Sequence, residues 1–173
     1  MENAAVIDEV VAAFRTTVLP ASALLIKNHC NECIDTFRLF WNTPGSFMTW
    51  ESAAAREGTR VESALLTPAA WRYYLPAMLI WCVRDTDKVD ALVENLVYEL
   101  TPKVGVDGRK TWFEERAPGF SAEQRRAVTT FLEWCQRREI AEWASIGGDP
   151  PREAGAAIEY WRDAGTDPRS GTK

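Results

Sequence analysis

The fold class this sequence predicts is all-α, a single domain of six or seven helices. Three observations carry it. Apolar residues recur at helical spacing in nearly every segment, proline and glycine cluster between those segments, and no stretch keeps the strict alternation of a half-buried strand.

Each element follows from that spacing. Val6, Ile7, Val10, Val11 and Phe14 form a core-facing stripe, and Pro20 is expected to end the first helix. Leu24, Leu25 and Ile26 lead into a second helix carrying Ile34, Phe37, Phe40 and Trp41, stopped by Asn42-Thr43-Pro44-Gly45. A short third helix is expected from near Thr49 to around Gly58. Thr67-Pro68 supplies an N-cap and a first-turn proline for a fourth, whose stripe is Trp71, Leu75, Met78, Leu79 and Cys82. Pro76 lies inside it and predicts a kink or two short helices in sequence, with the Arg72 carbonyl freed. Asp85-Thr86-Asp87 is read as the cap of a fifth helix, which buries Val89, Leu92, Val93, Leu96, Val97 and Leu100 before Thr101-Pro102.

Residues 103–120 are ambiguous. Val104-Gly105-Val106-Asp107-Gly108 contains an Asp-Gly turn signal without good flanking alternation, so a loop with at most a short hairpin is expected. Ser121-Ala122-Glu123-Gln124 is a capping box for a helix burying Val128, Phe131, Leu132 and Cys135. Gly147-Gly148-Asp149-Pro150-Pro151 precedes a last helix with Ala157, Ile158 and Trp161. The expected domain spans residues 1–164, and 165–173 form a polar, flexible tail.

The chain has 173 residues, 46% hydrophobic and 26% charged, enough to bury a core without staples. Its eight tryptophans are several times the usual complement, and five or six are expected in the core. The formal net charge of −5 argues against nucleic acid. The densest basic patch, Arg125, Arg126, Arg137 and Arg138, is interleaved with Glu123, Glu133 and Glu139 and reads as a solvated helix face. Glu2 and Asp8 spoil a signal peptide, and the apolar stretch 77–83 is too short to cross a bilayer. These features predict a cytoplasmic protein with reduced thiols.

Potential chemistry concentrates in His29-Cys30-Asn31-Glu32-Cys33, which holds the only histidine and two of the four cysteines. His29, Cys30 and Cys33 are the candidate metal ligands, since Cys-x-x-Cys spacing lets two thiolates share one zinc. A structural site needs a fourth ligand, and adjacent His29 and Cys30 reach one ion awkwardly. Redox catalysis is disfavoured by Glu32 and Asp35, which oppose a thiolate, and by the absence of a βαβ context. The expectation is therefore no cofactor, with zinc as the alternative, and a cluster that builds a helix start.

Leu66-Thr67-Pro68-Ala69-Ala70-Trp71-Arg72-Tyr73-Tyr74-Leu75-Pro76 packs three aromatics and two prolines into eleven residues. Arg72, Tyr73 and Tyr74 are the candidate binding residues if it shapes a cleft; a bent central core helix is the competing reading. No catalytic residue is assigned. A single histidine restricts acid/base work, and neither a Gly-x-Ser-x-Gly elbow nor a phosphate-cradling glycine loop is present. The pairs Asp85/Asp87 and Glu114/Glu115 read as caps or solvated charge.

The His29–Cys33 stretch, the segment 66–76, and Phe120-Ser121-Ala122-Glu123-Gln124 with Ala127-Val128 and Phe131-Leu132 occur in an order that resembles an uncharacterised family of small bacterial proteins, a domain of unknown function. The resemblance covers most of residues 1–140 and leaves 142–173 unmatched. It implies a bacterial cytosolic origin and groups His29, Cys30, Glu32, Cys33 and Tyr74 in one shared feature. The leading functional expectation is a non-enzymatic acidic helical protein that binds another protein, as an immunity protein neutralises a basic toxin. The alternatives are a metal-dependent protein at His29, Cys30 and Cys33, and a small-molecule sensor or enzyme near Arg72, Tyr73 and Tyr74.

Overall fold

Thirteen residues at the N-terminus, Glu2–Phe14, form α1, and the face carrying Val6, Val10 and Phe14 is buried. The computed structural model describes residues 2–19, 26, 31–43, 46–58, 61–103, 111–148 and 153–163, without the side chains of 32, 33, 37, 41–43, 46, 90 and 153. The architecture is all-α. After α1 come α2 (Asn31–Leu39), α3 (Trp50–Ala54), α4 (Pro68–Arg84), α5 (Asp90–Leu100), α6 (Trp112–Arg116), α7 (Ala122–Ile146) and α8 (Glu153–Asp163). The described residues thus hold eight α-helices, one more than the upper expectation. The addition is α6.

The described residues fall into two compact units, one ending at Leu96 and the other starting at Val97. In the first, α4 is the central element, with α1 and α3 packed on it. Thr67 caps it by accepting from the Ala70 amide at 3.3 Å, and Pro68 occupies the first turn, where no intrahelical donor is needed. From Ala70 to Val83 every residue but Arg72 is buried. One continuous helix runs through Pro76, so the expected split into two short helices does not occur. A proline in a helix interior costs about 3 kcal/mol, and burial on nearly all sides supplies the tertiary contacts that offset it. Asn3 on α1 donates to the Val83 carbonyl at 3.1 Å and fixes the first helix against the end of α4.

Several boundaries depart from the sequence reading. α1 stops at Phe14, well before Pro20, in front of the β-branched run Thr16-Thr17-Val18, which has low helix propensity. The stop after α2 is a small antiparallel ladder, Trp41–Thr43 (β1) with Ser46–Phe47 (β2), where Trp41 pairs with Phe47. Among the described residues this is the only two-stranded ladder, and it lies far from the hairpin expected near 103–120. Asp85 does not cap α5. Its Oδ2 accepts from the Gly58 amide at 2.7 Å and from Arg84 at 2.6 Å, while a 3-10 turn, Thr86–Lys88, intervenes before α5.

In the second unit α7 and α8 pack together. Ser121 and Gln124 form the expected capping box at the start of α7. A second box, Thr111 with Glu114, starts α6: the Thr111 amide donates to Glu114 Oε2 at 2.7 Å, and Thr111 Oγ1 accepts from the Glu114 amide at 3.2 Å. The region read as loop therefore contains a helix. Residues 104–110 and the tail 165–173 lie outside the described residues.

Candidate functional site

Tyr73 and Tyr74 seat the segment that leads into α3. The Tyr74 side chain is fully buried, and its hydroxyl donates to the Met48 carbonyl at 2.8 Å. Tyr73 lies edge-on to it, ring centroids 4.9 Å apart, and its hydroxyl accepts from the Trp50 amide at 3.4 Å. Phe40 stacks on Tyr74 at 3.9 Å. Burial raises both phenol pKa values above the usual tyrosine value, so both rings stay neutral well into the alkaline range. Arg72, the next residue back along α4, is half-buried. The structure brings the Tyr73 and Tyr74 rings together, with both hydroxyls turned to backbone.

The end of α4 is tied to the end of α3. The Arg84 guanidinium donates to the Ala54 carbonyl at 2.6 Å and to the Arg56 carbonyl, and Trp81 Nε1 donates to the same Arg56 carbonyl at 3.2 Å. A guanidinium there meets the negative end of the helix dipole and the orphan carbonyls of its last turn. The hydrogen bond from Arg84, helped by the Gly58 amide, holds the Asp85 carboxyl below its ordinary pKa against the effect of desolvation.

Of the metal candidates, His29 and Cys30 and the Cys33 side chain lie outside the described residues; Cys33 itself falls on α2. Among the described residues no group of three or more His, Cys, Asp or Glu could hold a metal ion. Cys82 and Cys135, considered as distant ligands, are buried in the core and form no disulfide, and burial pushes the Cys135 thiol pKa up.

The second unit contains a buried ion pair. Arg116 Nη1 lies 2.9 Å from Glu99 Oε2, with both side chains nearly inaccessible. The guanidinium is 4.8 Å from the Trp112 ring. Desolvation lowers the Arg116 pKa, and the Glu99 carboxylate opposes that shift. Nearby, Trp161 Nε1 donates to the Leu100 carbonyl at 2.8 Å, and its ring stands edge-on to Phe113 and Phe120. Five of the tryptophans, Trp50, Trp71, Trp81, Trp134 and Trp161, are buried.

Trp143 is different. From Ile140 to Ile146 every residue of α7 is exposed, and Ile140, Trp143 and Ile146 are 46%, 37% and 71% accessible. They recur every third residue, within an arc of about 120° on the helical wheel. Ile146 lies five full turns beyond buried Val128, so the stripe prolongs part of the face that α7 buries nearer its start. Gly147 closes the helix with a left-handed φ of +76°, and the Gly148 amide donates to the Trp143 carbonyl at 3.0 Å. A Cβ on Gly148 would lie 2.5 Å from Trp143 Cε3, so the indole rests directly on the glycine backbone. The ring is both exposed and held. Sequence reading passed over this surface because it weighed the basic residues of α7. The available signal was Ile-x-x-Trp-x-x-Ile running into Gly-Gly.

No helix among the described residues is long and apolar enough to cross a membrane. A family model described as a family of unknown function (DUF6714) matches residues 48–164. The match starts beyond the His29–Cys33 stretch and takes in residues 142–164 of the segment that the sequence resemblance left out. No curated protein and no solved structure matches the chain.

Proposed function

We propose that this chain, which belongs to the family of unknown function DUF6714, is a non-enzymatic protein-binding domain whose contact surface is the far end of α7. The observation that carries this reading is Trp143, exposed between Ile140 and Ile146 and held in place by Gly148. Aromatic anchors with little rotational freedom to lose dominate protein–protein contacts, because ordering them on binding costs little. A single histidine and buried Cys82 and Cys135 leave few groups suited to acid/base or nucleophilic work near neutrality.

The test is covalent cross-linking in cells that naturally make the protein, comparing the wild-type chain with Trp143→Ala. A stoichiometric adduct, to another protein or to a second copy, that is lost in the variant supports the reading. Wild-type and variant chains giving the same adducts, or none, would reject it. The immunity-type form of the proposal, neutralisation of a basic toxin, is favoured by the net charge of −5 and by exposed Asp8, Glu51 and Asp87 in the first unit. It calls for an acidic contact face.

A further inference from the structure

A narrow stripe seats α1. Val6, Val10 and Phe14, four positions apart, are its buried residues, and the helix packs on α4. Asn3 sets the register through the Val83 carbonyl. The family match starts at residue 48, so it takes in α4 and leaves out α1. The wall that α1 covers thus lies in the part of the chain that the family model describes, and the helix covering it does not.

Connectivity leaves α1 room to move. Ile26 is pinned to Leu66 by an isolated antiparallel bridge, so residues 15–25 join Phe14 to a fixed point. A chain of that length reaches about 36 Å when extended, whereas α1 is about 20 Å long. The helix can leave its seat completely with Ile26 still in place.

What holds it is the face beneath. From Tyr73 to Val83 every residue of α4 is buried, and an apolar face stripped of its cover meets water unfavourably. α1 therefore leaves only in exchange for another cover of the same pattern. The α1 of a second copy offers no better contacts than the chain's own, which is tethered beside its seat at high effective concentration. A foreign helix with a wider apolar stripe can win that competition.

We infer that α1 is an exchangeable cover, and that the face of α4 beneath it is a docking groove for an amphipathic helix of a partner protein. Such a helix carries apolar side chains at i, i+4 and i+8, and near its N-terminus a side-chain donor for the Val83 carbonyl. The inference does not depend on what the end of α7 binds.

The probe is a fluorescein-labelled synthetic peptide of residues 1–18, titrated with the purified full chain up to about 1 mM and followed by anisotropy. Val10→Asp places a charge in the buried stripe and unseats α1, so that chain should bind the peptide most tightly. Val10→Ala only trims the stripe and should bind it about tenfold more tightly than wild type, whose intact α1 competes. At saturation the α1 amide resonances of isotope-labelled Val10→Ala chain should move to random-coil positions while those of α7 stay. Binding by Val10→Ala no tighter than by wild type, or none at all, would overturn the inference whether or not Val10→Asp folds. Unmoved α1 resonances would overturn it too. A wild-type chain that dimerises on concentration and loses its α1 resonances with no peptide present would assign the exchange to a second copy and overturn the partner-helix assignment.

Discussion

Replacing Tyr74 by phenylalanine removes one oxygen from the centre of the first unit. In the folded chain that hydroxyl donates to the Met48 carbonyl at 2.8 Å, and the side chain has no solvent access. Ring packing on Phe40 is retained, so the loss is the hydrogen bond and the stranding of a buried acceptor. Such a stranded group costs about 1–3 kcal/mol, against a net value near 1 kcal/mol for an average hydrogen bond. For a protein of this size each kcal/mol moves the thermal midpoint by about 2–4 °C. Tyr73→Phe is the internal control, because its contact with the Trp50 amide is 3.4 Å, at the weak end of the range, and should cost about 0.5–1 kcal/mol. Urea unfolding followed by far-ultraviolet circular dichroism measures both. The Tyr74 variant should lose more stability than the Tyr73 variant at unchanged m-value. Equal losses, or a Tyr74→Phe chain within about 0.5 kcal/mol of wild type, would refute the assignment of Tyr74 as the clamp on residue 48.

Alkaline stability follows from the same burial. The raised pKa of Tyr74 means the unfolded chain releases that proton first, so the stabilisation is complete below pH 10 and declines above it, at up to about 1.4 kcal/mol per pH unit for one group. Stability measured between pH 9 and pH 11 should fall less steeply in Tyr74→Phe than in wild type. For the buried ion pair, Glu99→Gln and Arg116→Met should each cost about 3–5 kcal/mol, whereas the double variant should cost less than the sum, because the stranded charge is the expensive part; additive losses would count against coupling. Gly148→Ala should displace the Trp143 ring, visible as a shift of its resonance in protein labelled with 5-fluorotryptophan, with little change in helix content; an unmoved Trp143 resonance would show that the glycine does not position the ring.

How much of this was legible in the sequence depended on whether the signal was local. The caps at Thr67 and Ser121 were readable because a hydroxyl must meet an amide within three residues, and both are realised. The same signal at Thr111 and Glu114 was present and unread, obscured by the Asp-Gly pair just before it. Pro76 was read by its local cost, yet tertiary burial of α4 decided the outcome. The role of Asp85 was illegible, since its partner Gly58 is twenty-seven residues away and nothing in the local sequence names it.

The same distinction separates the two candidate surfaces. Segment 66–76 stood out in the sequence through its density of aromatics and prolines, and that density is what a helix enclosed by neighbours needs: rings to fill space and hydroxyls to reach backbone across a gap. Rarity of composition therefore marked the core. The far end of α7 has an ordinary composition, and only the exposure of Ile140, Trp143 and Ile146 among the described residues gives them meaning. Exposure, unlike a cap, is a property of the whole chain.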